Sequence, residues 1–312
     1  MQIYGRAWHL LHRPRVDTRP APEARKASGS WVAPIARPAA MTGPGAFRFL
    51  NQEGRIEDAA DWNTPEQDKL WLYNLHYFDD LNAQEAGQRR DWHRALIERW
   101  IAENPAPLGN GWEPYPSSLR IVNWIKWALA GNALSASARH SLAVQTRYLR
   151  QRLEWHLLGN HLFANAKALV FAGLYFDGAE ADQWLDKGLA ILARELPEQI
   201  LPDGGHFELS PMYHSILLED MLDLVNLAAT YNGRIAPAIV SNWRETAQRM
   251  RAWLAALCHP DGEISFFNDA TFGIAPAPQL IDAYAERLGL GRAEPPAEGV
   301  THLKDSGYIR VQ

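Results

Sequence analysis

The sequence predicts an all-α fold, a stack of helical hairpins entered through an extended arm and left through the beginning of a strand. Three observations carry this. From Pro65 onward apolar residues recur at helical spacing in nine segments with short links and almost no strand signal between them. Ahead of them, residues 1–60 hold six prolines, at positions 14, 20, 22, 34, 38 and 44, and few periodic apolar positions. Behind them, Tyr308, Ile309, Arg310 and Val311 alternate after a glycine turn, as a strand does.

Taken in order, FRFLNQEGRI (47–56) reads as a small hairpin within the arm, turned at Gln52 to Gly54. Helices are predicted over 65–84, 91–103, 117–131, 136–157, 161–176, 180–196, 211–231, 236–257 and 277–288. Ser117 and Ser135 are predicted N-caps, and Pro211 suits the first helical position after Ser210. THLKDSGYIRVQ (301–312) begins a strand, and a lone strand cannot satisfy its own backbone. The expectation is therefore that these residues are the front part of a longer protein with a β-rich domain to follow.

With 312 residues, 47% of them hydrophobic, the chain can bury a large core. A net charge of −5 offers nothing that suggests nucleic acid. Cys258 is the only cysteine, which excludes an intrachain disulfide and a multi-thiolate metal site. The N-terminal stretch has only Ala7 to Leu11 as an apolar patch, interrupted by His9, so it reads as neither signal peptide nor membrane span. As it stands the sequence reads as cytoplasmic, with a periplasmic location if a different start supplied an export signal. Thirteen Trp, ten Tyr and ten Phe are a heavy aromatic load, and sugar rings stack on such surfaces through their apolar C–H faces. Core packing explains most of them equally well.

Four stretches gather polar side chains at links between helices, where a helical toroid would open its cleft: 70–80, 109–124, 153–166 and 203–215. In the last, His206, Glu208, Tyr213 and His214 surround a Gly-Gly turn and the Ser210-Pro211 helix start. A functional Tyr213 would point out of the bundle from the first helical turn, with neighbouring His or Arg cations stabilising its phenolate. The alternative is a polar loop with a capping serine and a packed tyrosine. Asn160 and His161 stand at a helix start, where free N–H groups and the dipole favour an anion, so the pair can clamp a carboxylate. Alternatively Asn160 is simply an N-cap and His161 a surface residue. Arg120 and Trp124 share a helix face at i+4, suited to bidentate carboxylate binding and ring stacking, or to ordinary packing. Residues 259–271, with Asp261, Glu263, Asn268 and Asp269, lack calcium-loop spacing and read as a turn and cleft wall. His156 and His161 lie five apart and no HExxH pattern exists, so neither a catalytic metal nor a cofactor is expected.

YNLHYFDDL, GWEPYPSSLRIVNWI, LEWHLLGNHLFANAKAL and QILPDGGHFELSPMYH, in this order over residues 60–312, together resemble the α-helical half of the heparinase II/III-like polysaccharide lyases. The resemblance implies an incomplete α/α toroid followed by an antiparallel β-sandwich. The implied layout is an arm with a small hairpin over 1–60, a toroid over 61–299 and the first strand of a missing or truncated β-sandwich over 300–312. It also implies β-elimination on acidic, uronate-containing polysaccharides: heparin- or heparan-like, alginate-like or bacterial exopolysaccharide. Asn160 and His161 would then neutralise the uronate carboxylate, and Tyr213 would protonate the leaving oxygen. Tyr77, Arg120, Trp124, His206, Glu208, His214 and Asn268 would support the substrate. A further family histidine comes from the β-sandwich, beyond these residues. The implied geometry brings the starts of the fifth and seventh helices to one groove.

Two other readings stand beside this one. An inverting glycoside hydrolase needs two carboxylates about 6.5–9.5 Å apart, from Glu113 or Glu208 with Asp261 or Asp269. A non-catalytic glycan-binding or assembly module of a capsule or exopolysaccharide system needs none.

Overall fold

In the computed structural model of the chain the described residues are 14–157, 159–292 and 298–311. Ala7 to Leu11, read above for a leader, lie outside them. Two compact units emerge: one holds the chain through Arg25 together with Ala36–Leu189, the other Lys26–Ile35 and the chain from Ala190 onward. The fold class is all-α as expected, with nine α-helices among the described residues.

The first unit opens on a three-stranded antiparallel sheet, β1 (Met41–Gly43), β2 (Ala46–Phe49) and β3 (Gln52–Arg55), in the order β1-β2-β3. The expected hairpin is present, but its turn is not at Gln52 to Gly54. Phe49 pairs with Gln52, so Leu50 and Asn51 make a two-residue turn, with φ of 52° and 62°. Gly54 is needed within the strand for another reason: a Cβ there would come within 2.2 Å of the Trp71 ring. A sequence signal of turn was in truth one of close approach.

Helix α1 (Lys69–Tyr77) is shorter than expected because Phe78, at φ 62°, ends it and turns its ring into an aromatic core with Trp62, Trp100 and Trp124. Just beyond, buried Asp80 accepts from the backbone N–H groups of Ala40 and Met41, from Arg89 Nε and from His93 Nε2, at 2.6–2.9 Å. This one carboxylate ties the sheet, the end of α1 and α2 (Arg90–Glu103) together. Burial alone would raise its pKa, but these hydrogen bonds outweigh burial and hold it at about 2.

Helix α3 (Pro114–Leu129) begins three residues before the expected Ser117 cap. Proline needs no N–H partner in a first turn, so Pro114 and Pro116 start the helix, and Ser117 Oγ instead donates to the Gly111 carbonyl at 3.0 Å. Ser135 does cap α4 (Ala136–Arg150), accepting from Ala138 N at 3.0 Å. That helix stops seven residues before the expected end at 157, because the backbone N–H of Glu154 is taken by the Asn165 side chain at 2.9 Å. The α3 helix packs against α1, α4 and α5 (His161–Tyr175), and α5 is buried along nearly all its length. Helix α6 (Ala179–Gln199) carries the chain out of this unit.

In the second unit α7 (Pro211–Thr230) packs against α8 (Pro237–Ala256) and α9 (Pro278–Arg287). Ser210 and Pro211 start α7 as expected, Ser210 Oγ accepting from Tyr213 N at 3.3 Å. Residues 26–35 run beside α7, where Asn226 receives Val32 N at 3.1 Å and donates to Val32 O at 2.7 Å, a side chain acting as a strand partner. The terminal strand is not lone: β5 (Tyr308–Val311) pairs antiparallel with β4 (Val300–Leu303) around Gly307. Asp203 fastens this hairpin, accepting from Asp305 N, Ser306 N and Ser306 Oγ at 2.7–3.0 Å. Arg310 donates to the Ala255, Ala256 and Cys258 carbonyls at the end of α8.

Candidate functional site

At the start of α5 the sequence turns a helix N-terminus into a polar cluster. Asn160 occupies the N-cap position, yet its side chain makes no cap bond; its amide donates to the Tyr115 hydroxyl at 3.3 Å. His161 lies beside it, its ring 4.5 Å from that of Tyr115 and 35% of its side chain exposed. Imidazole Nδ1 meets Glu154 Oε1 at 3.2 Å. Glu154 is 7% exposed, and its second oxygen accepts from Asn165 Nδ2 at 3.0 Å. Asn165 Nδ2 also donates to Ser118 Oγ at 3.0 Å, while Ser118 donates to the Pro114 carbonyl at 2.8 Å. The cluster thus reaches from the α4–α5 loop to the first turns of α3 and α5. Such an arrangement offers an amide, an imidazole and first-turn N–H groups to an anion.

Beside it, Tyr73 donates to Glu113, whose other oxygen is 3.0 Å from Lys69 Nζ. Tyr77 meets the Tyr115 ring edge-to-face at 6.0 Å, and burial, first of all, pushes both Tyr73 and Tyr77 phenols well above their ordinary value. Tyr77 is only 8% exposed, which makes it a wall behind Tyr115 rather than the expected substrate contact.

Arg120 and Trp124 do share a face, but it points inward. Arg120 is fully buried, with Nε on Gln145 Oε1 at 2.9 Å, Nη1 on His76 O at 3.2 Å, Nη2 on Gly111 O at 2.7 Å, and its guanidinium 3.8 Å from the Trp100 ring. Trp124 is fully buried against Trp100 and Phe78. Neither reaches solvent, so neither is a substrate contact. At Arg120, carbonyl dipoles and a ring replace the expected carboxylate.

The α7 start, in the second unit, puts Tyr213 partly exposed on the first turn with its hydroxyl donating to Asp269 Oδ2 at 3.3 Å. Ser210 Oγ donates to the Asp269 carbonyl at 2.7 Å, joining that loop to the helix start. Asn268, with φ of 54°, donates to the carbonyls of Glu208 and Leu209, and Leu209 itself has φ of 55°. Asn268 therefore clasps the two loops together while its side chain stays exposed. Glu208 is partly exposed in the same loop.

The expected stabilisation of a Tyr213 phenolate by neighbouring cations is overturned. Burial, then the Asp269 carboxylate that accepts its proton, then Glu208, all raise the Tyr213 phenol above 10.0. His206 and His214 are fully buried and supply no cation. Burial lowers them to about 4 and about 3, so both are neutral at physiological pH. His214 accepts from His206 N at Nδ1, approaches Met250 O with Nε2 at 2.9 Å, and stacks on Trp253 at 4.5 Å. These two histidines are packing, not substrate contacts.

Sequence reasoning missed Glu154, Asn165 and Tyr115, and named Asp269 only as a cleft-wall carboxylate. All four stood inside stretches already singled out, but nothing in their spacing tells which polar side chain of a link turns toward which. Among the described residues no three His, Cys, Asp or Glu side chains come together as metal ligands, and no helix is long and apolar enough to cross a membrane.

An all-α fold with a polar cluster at one helix start in each unit has clear relatives. A family profile described as Heparinase II/III N-terminus matches residues 82–282. The chain belongs to this family. It is 33% identical over 113 residues to a heparin-sulfate lyase of Bacteroides stercoris, covering 36% of this chain and 17% of that one. To a heparin-sulfate lyase of Pedobacter heparinus it is 28% identical over 192 residues, covering 58% and 29%. The solved structure of a heparan sulfate lyase HepC mutant from Pedobacter heparinus is similar at a TM-score of 0.59 and 18% identity, covering 99% of this chain and 53% of that one. A heparinase III-BT4657 gene product gives a TM-score of 0.56 at 17% identity, covering 83% and 47%. At such identities the likeness establishes the fold, that of an incomplete helical toroid. The chain spans less than a third of the length of the curated relatives it matches and about half of the solved structures.

Proposed function

We propose that this chain is the helical part of a polysaccharide lyase that cleaves heparin- or heparan-type glycans at a uronic acid by β-elimination. In that reaction the C5 proton leaves, the C4–O bond breaks, its electron pair goes to the leaving oxygen together with a proton, and a C4–C5 double bond forms. The C5 proton is barely acidic while the adjacent carboxylate keeps its charge, so that carboxylate has to be neutralised and the enolate-like charge held. The observation that carries the reading is the start of α5: an N-cap residue whose side chain makes no cap bond, followed by a half-exposed imidazole. Asn160 and His161 would grip the carboxylate there. Tyr213, its phenol raised by burial first and then by its acidic neighbours, suits the acid that protonates the leaving oxygen better than it suits a base. The proton acceptor falls, by the family resemblance, to a histidine of a β-rich part. Names of the aligned relatives support heparin or heparan as the glycan.

Incubation with heparan sulfate, heparin and other uronate polymers tests this. Ultraviolet absorbance from a new C4–C5 double bond is the expected result. Reducing ends without that absorbance would mean a hydrolase, and binding without either product would mean a glycan-binding module.

A further inference from the structure

The hydrogen bonds behind His161 form a chain whose polarity is set at every step. The Ser118 hydroxyl gives its only proton to the Pro114 carbonyl, so Ser118 Oγ can only accept, and it accepts from Asn165 Nδ2. At its other end the Asn165 amide presents Oδ1 to the backbone N–H of Glu154. The Asn165 amide therefore cannot flip, and its Nδ2 donates to Glu154 Oε2. Glu154 is 7% exposed and Asn165 fully buried, so water does not compete for these contacts. The remaining carboxylate oxygen, Oε1, faces His161 Nδ1 at 3.2 Å and requires a proton there.

We propose that Glu154 is the positioning residue of His161: locked by Asn165 and Ser118, it holds the imidazole proton on Nδ1 and so makes Nε2 the nitrogen presented to the uronate carboxylate. A ring nitrogen acquires its role from the hydrogen bond that the other nitrogen makes. When Nε2 also carries a proton, both nitrogens are donors, and the charge of the ring lies between two carboxylates, that of Glu154 behind and that of the sugar in front. This deepens the lyase reading and rests on it for the identity of the sugar carboxylate, though not for the state of the imidazole.

Glu154→Gln makes the test sharp, because it preserves shape and changes one donor. The Asn165 amide donates, so the new glutamine has to turn its oxygen toward Asn165 and its NH2 toward His161 Nδ1. That nitrogen must then accept, and the proton of the neutral ring moves to Nε2. With 15N-histidine labelling and His161→Gln to assign the signal, NMR at alkaline pH should find neutral His161 protonated at Nδ1 in the wild type and at Nε2 in Glu154→Gln. Turnover of heparan sulfate should fall about ten- to a hundred-fold in Glu154→Gln, in kcat more than in KM, since the carboxylate gains charge in the transition state. Wild-type His161 protonated at Nε2 would overturn the proposal without recourse to any variant. So would an unchanged tautomer in a folded Glu154→Gln protein, or unchanged kcat in that variant of an active wild type. Absence of cleavage by the wild type would overturn the lyase reading alone, leaving the tautomer measurement to decide the role of Glu154.

Discussion

Tyr213 illustrates what a single side chain's neighbours decide. Its ring sits on the first turn of α7 while its hydroxyl reaches Asp269 on the partly exposed side. Removing the hydroxyl therefore disturbs little packing, and Tyr213→Phe should change stability by no more than about 0.5 kcal/mol in thermal unfolding. Its elimination rate should nevertheless fall about 10²- to 10⁴-fold if it is the acid, as loss of a positioned proton donor does. Because the Asp269 carboxylate disfavours a nearby phenolate, Asp269→Asn should move the Tyr213 ionisation to lower pH. Tyrosine 13Cζ titration by NMR reads this directly, and an upward or absent shift would mean that burial alone governs the phenol.

Among the elements, the C-terminal hairpin depends on one loop carboxylate. Burial acts to raise the Asp203 pKa, but its bonds to Ser306, Gly205 and Asp305 prevail and lower it. Asp203→Ala should therefore release β4–β5, seen as faster hydrogen exchange at Asp305, Ser306 and the β4–β5 amides while α7 and α8 stay protected. The loss is on the order of 1–3 kcal/mol, the usual cost of stranding such donors. The segment that runs beside α7 is held as closely: a Cβ on Gly29 would lie 2.3 Å from the Ala229 carbonyl oxygen. Gly29→Ala should accordingly loosen residues 26–35, measured as protease susceptibility confined to that segment, and an unaffected digestion pattern would count against the close approach.

For the whole molecule, the buried histidines set the acid limit of stability. His76 is held at about 3, His206 at about 4 and His214 at about 3, in each case chiefly by burial. In an unfolded chain each would titrate near 6.5, so below that pH the unfolded state binds protons that the folded state refuses. Stability should be flat above pH about 7, then fall by about 1.4 kcal/mol per pH unit for each histidine as pH drops toward 4. Asp80 adds a further loss below about pH 4, as its carboxyl, held at about 2 when folded, is protonated more readily in the unfolded chain. Denaturant midpoints at a series of pH values measure the slope, and a midpoint independent of pH between 6.5 and 4 would show the three rings to be solvated.

The amino-acid sequence by itself determined the class of the fold, the order of the nine helices and the stretches in which polar chemistry gathers. Those depend on local periodicity, on proline at helix starts and on caps such as Ser135 and Ser210, all of which act within a few residues. Only the tertiary structure decided which polar residue faces where. Arg120 and Trp124 share a face in sequence, and packing on Trp100 turns that face to the core. His206 and His214 read as site residues, and stacking on Trp253 with a Met250 carbonyl makes His214 part of the interior. Glu154 looked like one more helical residue until Asn165, eleven positions on, took its backbone N–H and ended the helix. Burial and long-range hydrogen bonds carry no signature in spacing, because their partners are chosen by the fold and not by the neighbours in the chain.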